Sequence, residues 1–174
     1  MRFRTLVRRT APLLALALAL GCADANNSGS SDGGLPTLTE SGIYNLLSAR
    51  AVSAEQSEVT LSLKQLPGGI ELASAQGELQ YDAAALQLVL TALPEGIEGD
   101  VVEVSPGRVR FVATLVQGMA EPAILRLQFR GRETPLSLAR DMFSVRLEEV
   151  SGGADLADVT STVRSERLLF VQGQ

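Results

Sequence analysis

The chain has no histidine, no tryptophan and a single cysteine among its 174 residues. Without histidine it has no Ser-His or Cys-His pair, and one cysteine is too few for the usual zinc ligand sets. Paired carboxylates could still serve a glycosidase, and the candidates are Glu95, Glu98, Asp100 and Glu103. They fall in a turn and the strand after it, where a solvated acidic loop is expected. We therefore predict a non-enzymatic protein without a cofactor.

The charge distribution argues against one class of partner. The 15 basic and 20 acidic side chains give a net charge of -5. Residues 1–21 contain four arginines and no acid, so the remainder has 11 basic and 20 acidic side chains and a net charge of -9. Phosphate backbones should repel such a domain, so we predict no nucleic-acid binding.

Residues 1–21 have the order of a secretory signal peptide, with a basic start, an apolar run from Ala11 to Leu20, and then Gly21. Ten apolar residues rise about 15 Å as a helix, roughly half of a bilayer core, so this is not a stable membrane span. The stretch from Leu18 to Cys22 resembles a bacterial lipoprotein lipobox. The resemblance implies that Cys22 is lipidated. The alternative is an ordinary signal peptide that leaves an unpaired thiol.

A lipid on Cys22 would tether the mature protein to a membrane of the bacterial cell envelope. In the lipoproteins that it resembles, an aspartate directly after the cysteine signals retention in the inner membrane, and here Ala23 follows instead. The resemblance thus implies the outer membrane if the organism is Gram-negative. Residues 22–41 contain few apolar side chains and are rich in Asn, Ser and Gly, which predicts a flexible linker.

From about residue 42 to residue 174 the pattern has period two, which predicts strands with one buried and one wet face. The alternating segments lie around residues 59–64, 108–113, 123–130 and 143–148, and short turns rich in glycine and proline separate them. The segment 101–111 is a candidate hairpin because Pro106-Gly107 suits the central positions of a type II turn. Strands of this kind pack face to face, so we predict an all-β, antiparallel β-sandwich as residues 42–174.

Residues 78–89 begin as a strand and then place three alanines where a strand is least favoured. Tyr81 ends the strand, Asp82 favours a turn and Ala83 to Ala85 favour a helical turn. Leu86 lies four residues after Asp82 and can fold back under the turn as a plug.

The stretch from Tyr81 and Asp82 to Leu86, with the strand on either side, resembles the early signature of cohesin domains, the jelly-roll sandwiches that bind dockerins in cellulosomes. The segment 59–65 is similar to the first core strand of that family, the segments 108–113 and 123–131 to its pair of central strands, and the segment 168–171 to its terminal strand. The resemblance implies a module for protein-protein recognition, with a dockerin-like or other surface protein as partner. Carbohydrate-binding modules share the plan, so binding of a soluble glycan is an alternative, as is a structural envelope lipoprotein without a dedicated ligand.

Aromatic side chains bear on the choice between protein and glycan. Four of them lie in the inward phase of their strands: Tyr81, Phe111, Phe129 and Phe143. We expect only Tyr44 and Phe170 to face solvent, too few for a flat platform on crystalline cellulose.

Two charged sets are further candidates. Outward arginines on two strands, Arg108 and Arg110 on one and Arg126 and Arg130 on the other, would form one partner-binding patch if those strands are neighbours. The alternative is cross-strand pairing with Glu78, Glu103 or Glu148.

Asp155 and Asp158 could offer oxygen ligands to calcium, although their spacing matches no complete calcium loop and a solvated turn is the alternative.

Overall fold

The computed structural model describes residues 41–66, 70–119 and 121–173. The predicted signal peptide, the predicted lipidation site Cys22 and the predicted linker up to residue 40 lie outside these residues. Within the described part of the chain, no helix is both long and apolar enough to span a membrane.

Ten strands make up most of the described chain. They are β1 (Gly42–Ala51), β2 (Gln56–Leu66), β3 (Leu72–Tyr81), β4 (Leu86–Ala92), β5 (Ile97–Ser105), β6 (Arg108–Met119), β7 (Ala123–Gly131), β8 (Phe143–Gly152), β9 (Ala157–Asp158) and β10 (Val163–Gly173). Short 3₁₀ turns at Arg140–Met142 and Thr160–Thr162 precede β8 and β10.

The strands form two five-stranded sheets that pack as a sandwich. The first sheet has the order β10-β1-β2-β7-β4, and the second has the order β5-β6-β3-β8-β9. In β2, Val59, Leu61 and Leu63 are buried and alternate with half-buried residues, as the period-two pattern predicts. β1 is not among the predicted strands, because Ile43, Tyr44 and Asn45 are all buried and hide the alternation.

One strand pair corrects the prediction of an antiparallel sandwich. β1 runs parallel to β10, with Leu46 opposite Leu169 and Ser48 opposite Val171, while the other strand pairs are antiparallel. Alternation shows which side chains of a strand are buried but does not show the direction of its neighbour, so the sequence pattern could not reveal this pair.

The core joins the sheets through a chain of aromatic rings. Phe129 on the first sheet lies between two rings of the second, with centroids 4.9 Å from Tyr81 and 5.7 Å from Phe143. Phe170 stacks on Phe143 at 6.1 Å. Phe111 is also buried, so the four predicted inward aromatics all lie in the core.

The expectation that Tyr44 faces solvent is wrong, because Tyr44 is 0% exposed. Its strand begins with four consecutive buried residues, so the alternation of β1 does not show which of its side chains are exposed. Phe170 is half-buried against the core. The described aromatics therefore offer no flat platform for a polysaccharide.

The predicted hairpin joins β5 to β6. Val101 pairs with Phe111 across it, and Gly107 at the turn has a φ of 88°, a left-handed value that favours glycine. The Gly107 carbonyl also accepts a hydrogen bond from the Tyr81 amide at 2.9 Å. The hairpin turn is thereby held against the end of β3.

Candidate functional site

A tight turn follows Tyr81, as the three alanines at residues 83–85 predict. The Asp82 carbonyl accepts hydrogen bonds from the amides of Ala85 at 3.2 Å and Leu86 at 2.9 Å, while the Asp82 carboxylate accepts one from the Ala84 amide at 2.8 Å. Leu86 is 1% exposed and closes the core beneath the turn. The Tyr81, Asp82 and Leu86 arrangement is thus part of the framework that carries the chain from the second sheet to the first.

The outer face of the second sheet carries an ordered set of side chains. Register places Val102, Arg110, Glu78 and Arg146 in one row across β5, β6, β3 and β8. The next row is Asp100, Val112, Gln76 and Glu149, and the row on the other side contains Arg108, Gln80 and Ser144. We call these side chains, with Val104 and Glu148, the second-sheet face.

Glu78 lies at the centre of the second-sheet face. It accepts two hydrogen bonds from Arg108, from Nε at 3.2 Å and from Nη2 at 2.6 Å, and a third from Gln80 Nε2 at 2.8 Å. Beside it, Glu148 accepts hydrogen bonds from Arg110 Nη2 at 2.9 Å and from Gln76 Nε2 at 3.3 Å. These contacts connect β3, β6 and β8 and restrict the rotamers of the long side chains on this face.

The network has a clear effect on the pKa of Glu78. Hydrogen bonds from Arg108 and then Gln80, with the positive charges of Arg108 and Arg110, lower the pKa of the Glu78 carboxyl from 4.5 to about 2. The same contact with Glu78 raises the pKa of Arg108. Glu78 therefore stays charged down to strongly acidic pH.

A Glu78→Gln variant should reveal this linkage. A carboxylate with a lowered folded-state pKa stabilises the fold above its ordinary pKa, and that stabilisation disappears as the pH falls through the folded-state value. We expect the variant to melt at a lower temperature than the wild type near neutral pH, with the difference shrinking between pH 4.5 and about 2. Melting curves of both proteins across that range measure the effect. Glu149→Gln, which removes an exposed carboxylate of the same face, is the control, and a Glu78→Gln difference that stays constant with pH contradicts the assignment.

Apolar side chains complete the second-sheet face. Val102, Val104 and Val112 are 49%, 46% and 45% exposed. They line a shallow recess of about 340 Å³ together with Gln76, Asp100 and Arg110. These valines were not among the predicted site residues, although valine in the outward phase of a strand is a signal that could have found them.

The four predicted arginines do not form one patch. Arg108 and Arg110 lie on β6 in the second sheet, whereas Arg126 and Arg130 lie on β7 in the first sheet. Although β6 and β7 are consecutive in the chain, the connection between them crosses from one sheet to the other, so the two pairs occupy separate sheets. Arg108 pairs with Glu78 and Arg110 with Glu148, which is the alternative that the sequence left open.

The four acidic residues considered as catalytic candidates are exposed to solvent in one segment of the chain. Glu95, Glu98, Asp100 and Glu103 are exposed along the turn before β5 and on β5 itself. Glu103 accepts a hydrogen bond from the Tyr81 hydroxyl. Burial, and next the hydrogen bond to Glu103, raise the pKa of Tyr81. This contact ties the edge strand β5 to the end of β3.

The two candidate calcium ligands lie in and beside the turn between β8 and β9. Asp158 accepts a hydrogen bond from the Thr160 amide at 2.9 Å, and hydrogen bonds from Thr160 lower the pKa of Asp158. Asp155 is exposed in the turn. Among the described residues, no three His, Cys, Asp or Glu side chains are grouped so that they could hold a metal ion.

Comparison by sequence finds no matching family model and no match among curated proteins. Comparison by structure finds solved cohesins. The seventh ScaB type I cohesin from Pseudobacteroides cellulosolvens has 15% identity and a TM-score of 0.51, over 75% of this chain and 92% of that one. The sixth cohesin of scaffoldin B from Acetivibrio cellulolyticus, solved in complex with a mutant dockerin, has 16% identity and a TM-score of 0.50, over 76% and 99%.

A third similar structure comes from outside the bacteria. The non-cellulosomal cohesin of the hyperthermophilic archaeon Archaeoglobus fulgidus has 14% identity and a TM-score of 0.50, over 76% of this chain and 92% of that one. The sheet order and the three likenesses define the class of protein as a jelly-roll β-sandwich. Within that class the chain has a cohesin-like fold, as the resemblance of its sequence to cohesin domains predicts.

Proposed function

We propose that this chain is a non-catalytic recognition protein of the bacterial cell envelope, whose cohesin-like domain captures another protein through the second-sheet face. The observation that carries the proposal is the recess formed by Val102, Val104 and Val112 beside ordered charged side chains. Exposed apolar surface rimmed by polar groups is typical of protein interfaces. The ordered rim reduces the conformational entropy lost on binding.

A folded protein module is the partner that best fits this face. The three valines supply a small apolar centre, and the carboxylates and guanidinium groups around them can select a partner of complementary charge. The solved Acetivibrio cellulolyticus cohesin is bound to a dockerin. By analogy of fold, a dockerin-like module is the first partner to test.

Two further parts of the proposal rest on the sequence. The absence of histidine and the solvated position of the acidic candidates support a binding role without catalysis. The lipobox-like stretch ending at Cys22 supports a lipid anchor, with residues 23–41 as a linker between lipid and domain. In a Gram-negative organism we propose the outer membrane as its location.

Affinity capture tests the proposed function. The purified protein is immobilised and exposed to the organism's solubilised envelope and secreted proteins, and to purified dockerin modules, with calcium and again with a chelator. We expect a specific protein to be retained, and the double variant V102S/V112S to bind it about tenfold more weakly, as loss of apolar contacts at an interface centre predicts. Loss of the protein on chelation would indicate a calcium-dependent partner module.

The matched control is V89S/L90S. Val89 and Leu90 are exposed to a similar degree but lie on β4 of the first sheet. Equal weakening by both double variants would contradict the assignment of the second-sheet face. Failure of the wild-type protein to retain any protein would instead favour a structural lipoprotein without a dedicated partner.

A further inference from the structure

The outer face of the first sheet differs in chemistry from the second-sheet face. Register places eleven of its outward side chains in three rows across β1, β2, β7 and β4. One row is Arg50, Glu58, Gln128 and Leu90; the next is Ser48, Thr60, Arg126 and Ala92; the third is Gln56, Arg130 and Gln87 on β2, β7 and β4. We call these eleven side chains the first-sheet face.

Positive charge is concentrated on the first-sheet face. Two of its three arginines share one carboxylate, since Glu58 is 3.2 Å from Arg50 Nη2 and 3.8 Å from Arg126 Nε. Arg130 makes no ion pair with any residue that the structure describes. The whole chain has a net charge of -5, so this face is a basic surface on an acidic protein. An anionic ligand is therefore the complementary partner.

Uncharged polar side chains fill the spaces around the arginines. They comprise three amides and two hydroxyls: Gln56, Gln87, Gln128, Ser48 and Thr60. None of these side chains makes a hydrogen bond to another described residue. By contrast, Gln76 and Gln80 of the second-sheet face both donate to carboxylates. The first-sheet face thus has donors and acceptors available for a ligand that carries many hydroxyl groups.

The first-sheet face has little of what a protein or lipid partner needs. Leu90, at the β4 edge, is the one large apolar side chain among these eleven, and none of them is aromatic. The outward apolar side chains Leu46 and Val171 are half-buried and lie towards the β10 edge of the sheet, away from Arg126 and Arg130. Protein interfaces usually depend on aromatic or apolar anchors, and interfacial membrane binding depends on apolar side chains that enter the acyl region. A polar and basic sheet face instead suits an extended ligand that bears both carboxylates and hydroxyls.

We propose that the first-sheet face binds an acidic polysaccharide built from uronic acid residues. Arg126 and Arg130 bind its carboxylates, because a guanidinium group can donate two parallel hydrogen bonds to a carboxylate. The amides and hydroxyls of the face bind the sugar hydroxyls. Arg126 and Arg130 are four residues apart on β7, which separates them by about 13 Å along the strand. One polymer with repeated carboxylates can therefore contact both arginines. This site is separate from the second-sheet face and does not depend on the function proposed there.

Binding of defined polymers tests this site. The purified full-length protein is titrated with polygalacturonate, alginate and hyaluronan, and with methyl-esterified polygalacturonate, which keeps the sugar backbone but loses the charge. We expect at least one of the acidic polymers to bind, the ester to bind at least about tenfold more weakly, and added salt to weaken binding. The double variant R126Q/R130Q should also lose about tenfold in affinity, while its melting temperature shows that it is folded.

Arg146→Gln on the second-sheet face is the matched control, since Arg146 is an exposed arginine on the other sheet. It should bind the polymer as the wild type does. The proposal is overturned if none of the acidic polymers binds, or if Arg146→Gln and R126Q/R130Q lose affinity equally. Polyaspartate and vesicles of anionic phospholipid test the other anionic partners. Tighter binding of either one through Arg126 and Arg130 would assign the face to an acidic protein or a membrane and would also overturn the proposal.

Discussion

Replacing Phe129 with alanine is expected to lower the free energy of unfolding by about 3–5 kcal/mol. Phe129 is 0% exposed and its ring lies between Tyr81 and Phe143, so it joins the first sheet to the second. The variant loses the transfer free energy of a buried ring and leaves a cavity between two sheets that cannot both relax into it. Urea unfolding of the wild type and the variant, with the slope compared as well as the midpoint, measures the difference.

Phe170→Ala provides the comparison for Phe129. Phe170 is half-buried and occupies one end of the aromatic chain, with a ring contact to Phe143. Less surface is removed from water there, so its loss should cost clearly less than the loss of Phe129. A Phe129→Ala cost below about 1 kcal/mol, or a larger cost for Phe170→Ala, would show that the sheets are not joined chiefly at Phe129.

Replacing Asn45 with leucine should have the opposite sign, and we expect the free energy of unfolding to rise by about 1–3 kcal/mol. Asn45 is 0% exposed, and neither its Nδ2 nor its Oδ1 has a hydrogen-bond partner among the residues that the structure describes. Its neighbours in register are Leu63 on β2 and Leu168 on β10, both buried. A buried amide without partners carries its full desolvation cost, which an apolar side chain with the same branching at Cγ does not.

Two further substitutions make the Asn45 experiment decisive. Asn45→Val introduces a smaller apolar group and should also stabilise, which separates removal of the amide from any effect of added volume. Asn45→Asp keeps the shape but places a charge in the core, so it should destabilise strongly. Urea unfolding of all three variants gives the order. If both apolar variants are less stable than the wild type, the Asn45 amide has a stabilising role that its lack of partners does not explain.

Each of the two outer faces of the sandwich carries one of the two proposed binding functions. The second-sheet face combines an apolar recess with side chains that are already paired, which suits a folded protein partner. The first-sheet face is polar, basic and largely unpaired, which suits an extended acidic polymer. Because these faces belong to different sheets, variants on one should leave binding at the other unchanged.

Much of the fold followed from residue patterns. Alternation in β2, β6, β7 and β8 predicted which side chains enter the core, and the core positions of Phe111, Phe129 and Phe143 agree with it. Pro106-Gly107 predicted the β5 to β6 hairpin, and the alanines after Asp82 predicted a helical turn. These predictions succeed because a turn depends on the backbone preferences of a few residues, and the two faces of a strand depend only on its own sequence.

Only the tertiary structure decided which strands are neighbours. β6 and β7 follow each other in the chain and alternate in the same way, yet they lie in different sheets and separate Arg108 and Arg110 from Arg126 and Arg130. The parallel pairing of β1 with β10, the burial of Tyr44 and the recess around Val102 and Val112 depend on the same choice. A strand's pattern specifies which of its faces is buried but not what covers that face. The neighbours are selected by burial and hydrogen bonding summed over the whole sandwich, which no local segment contains.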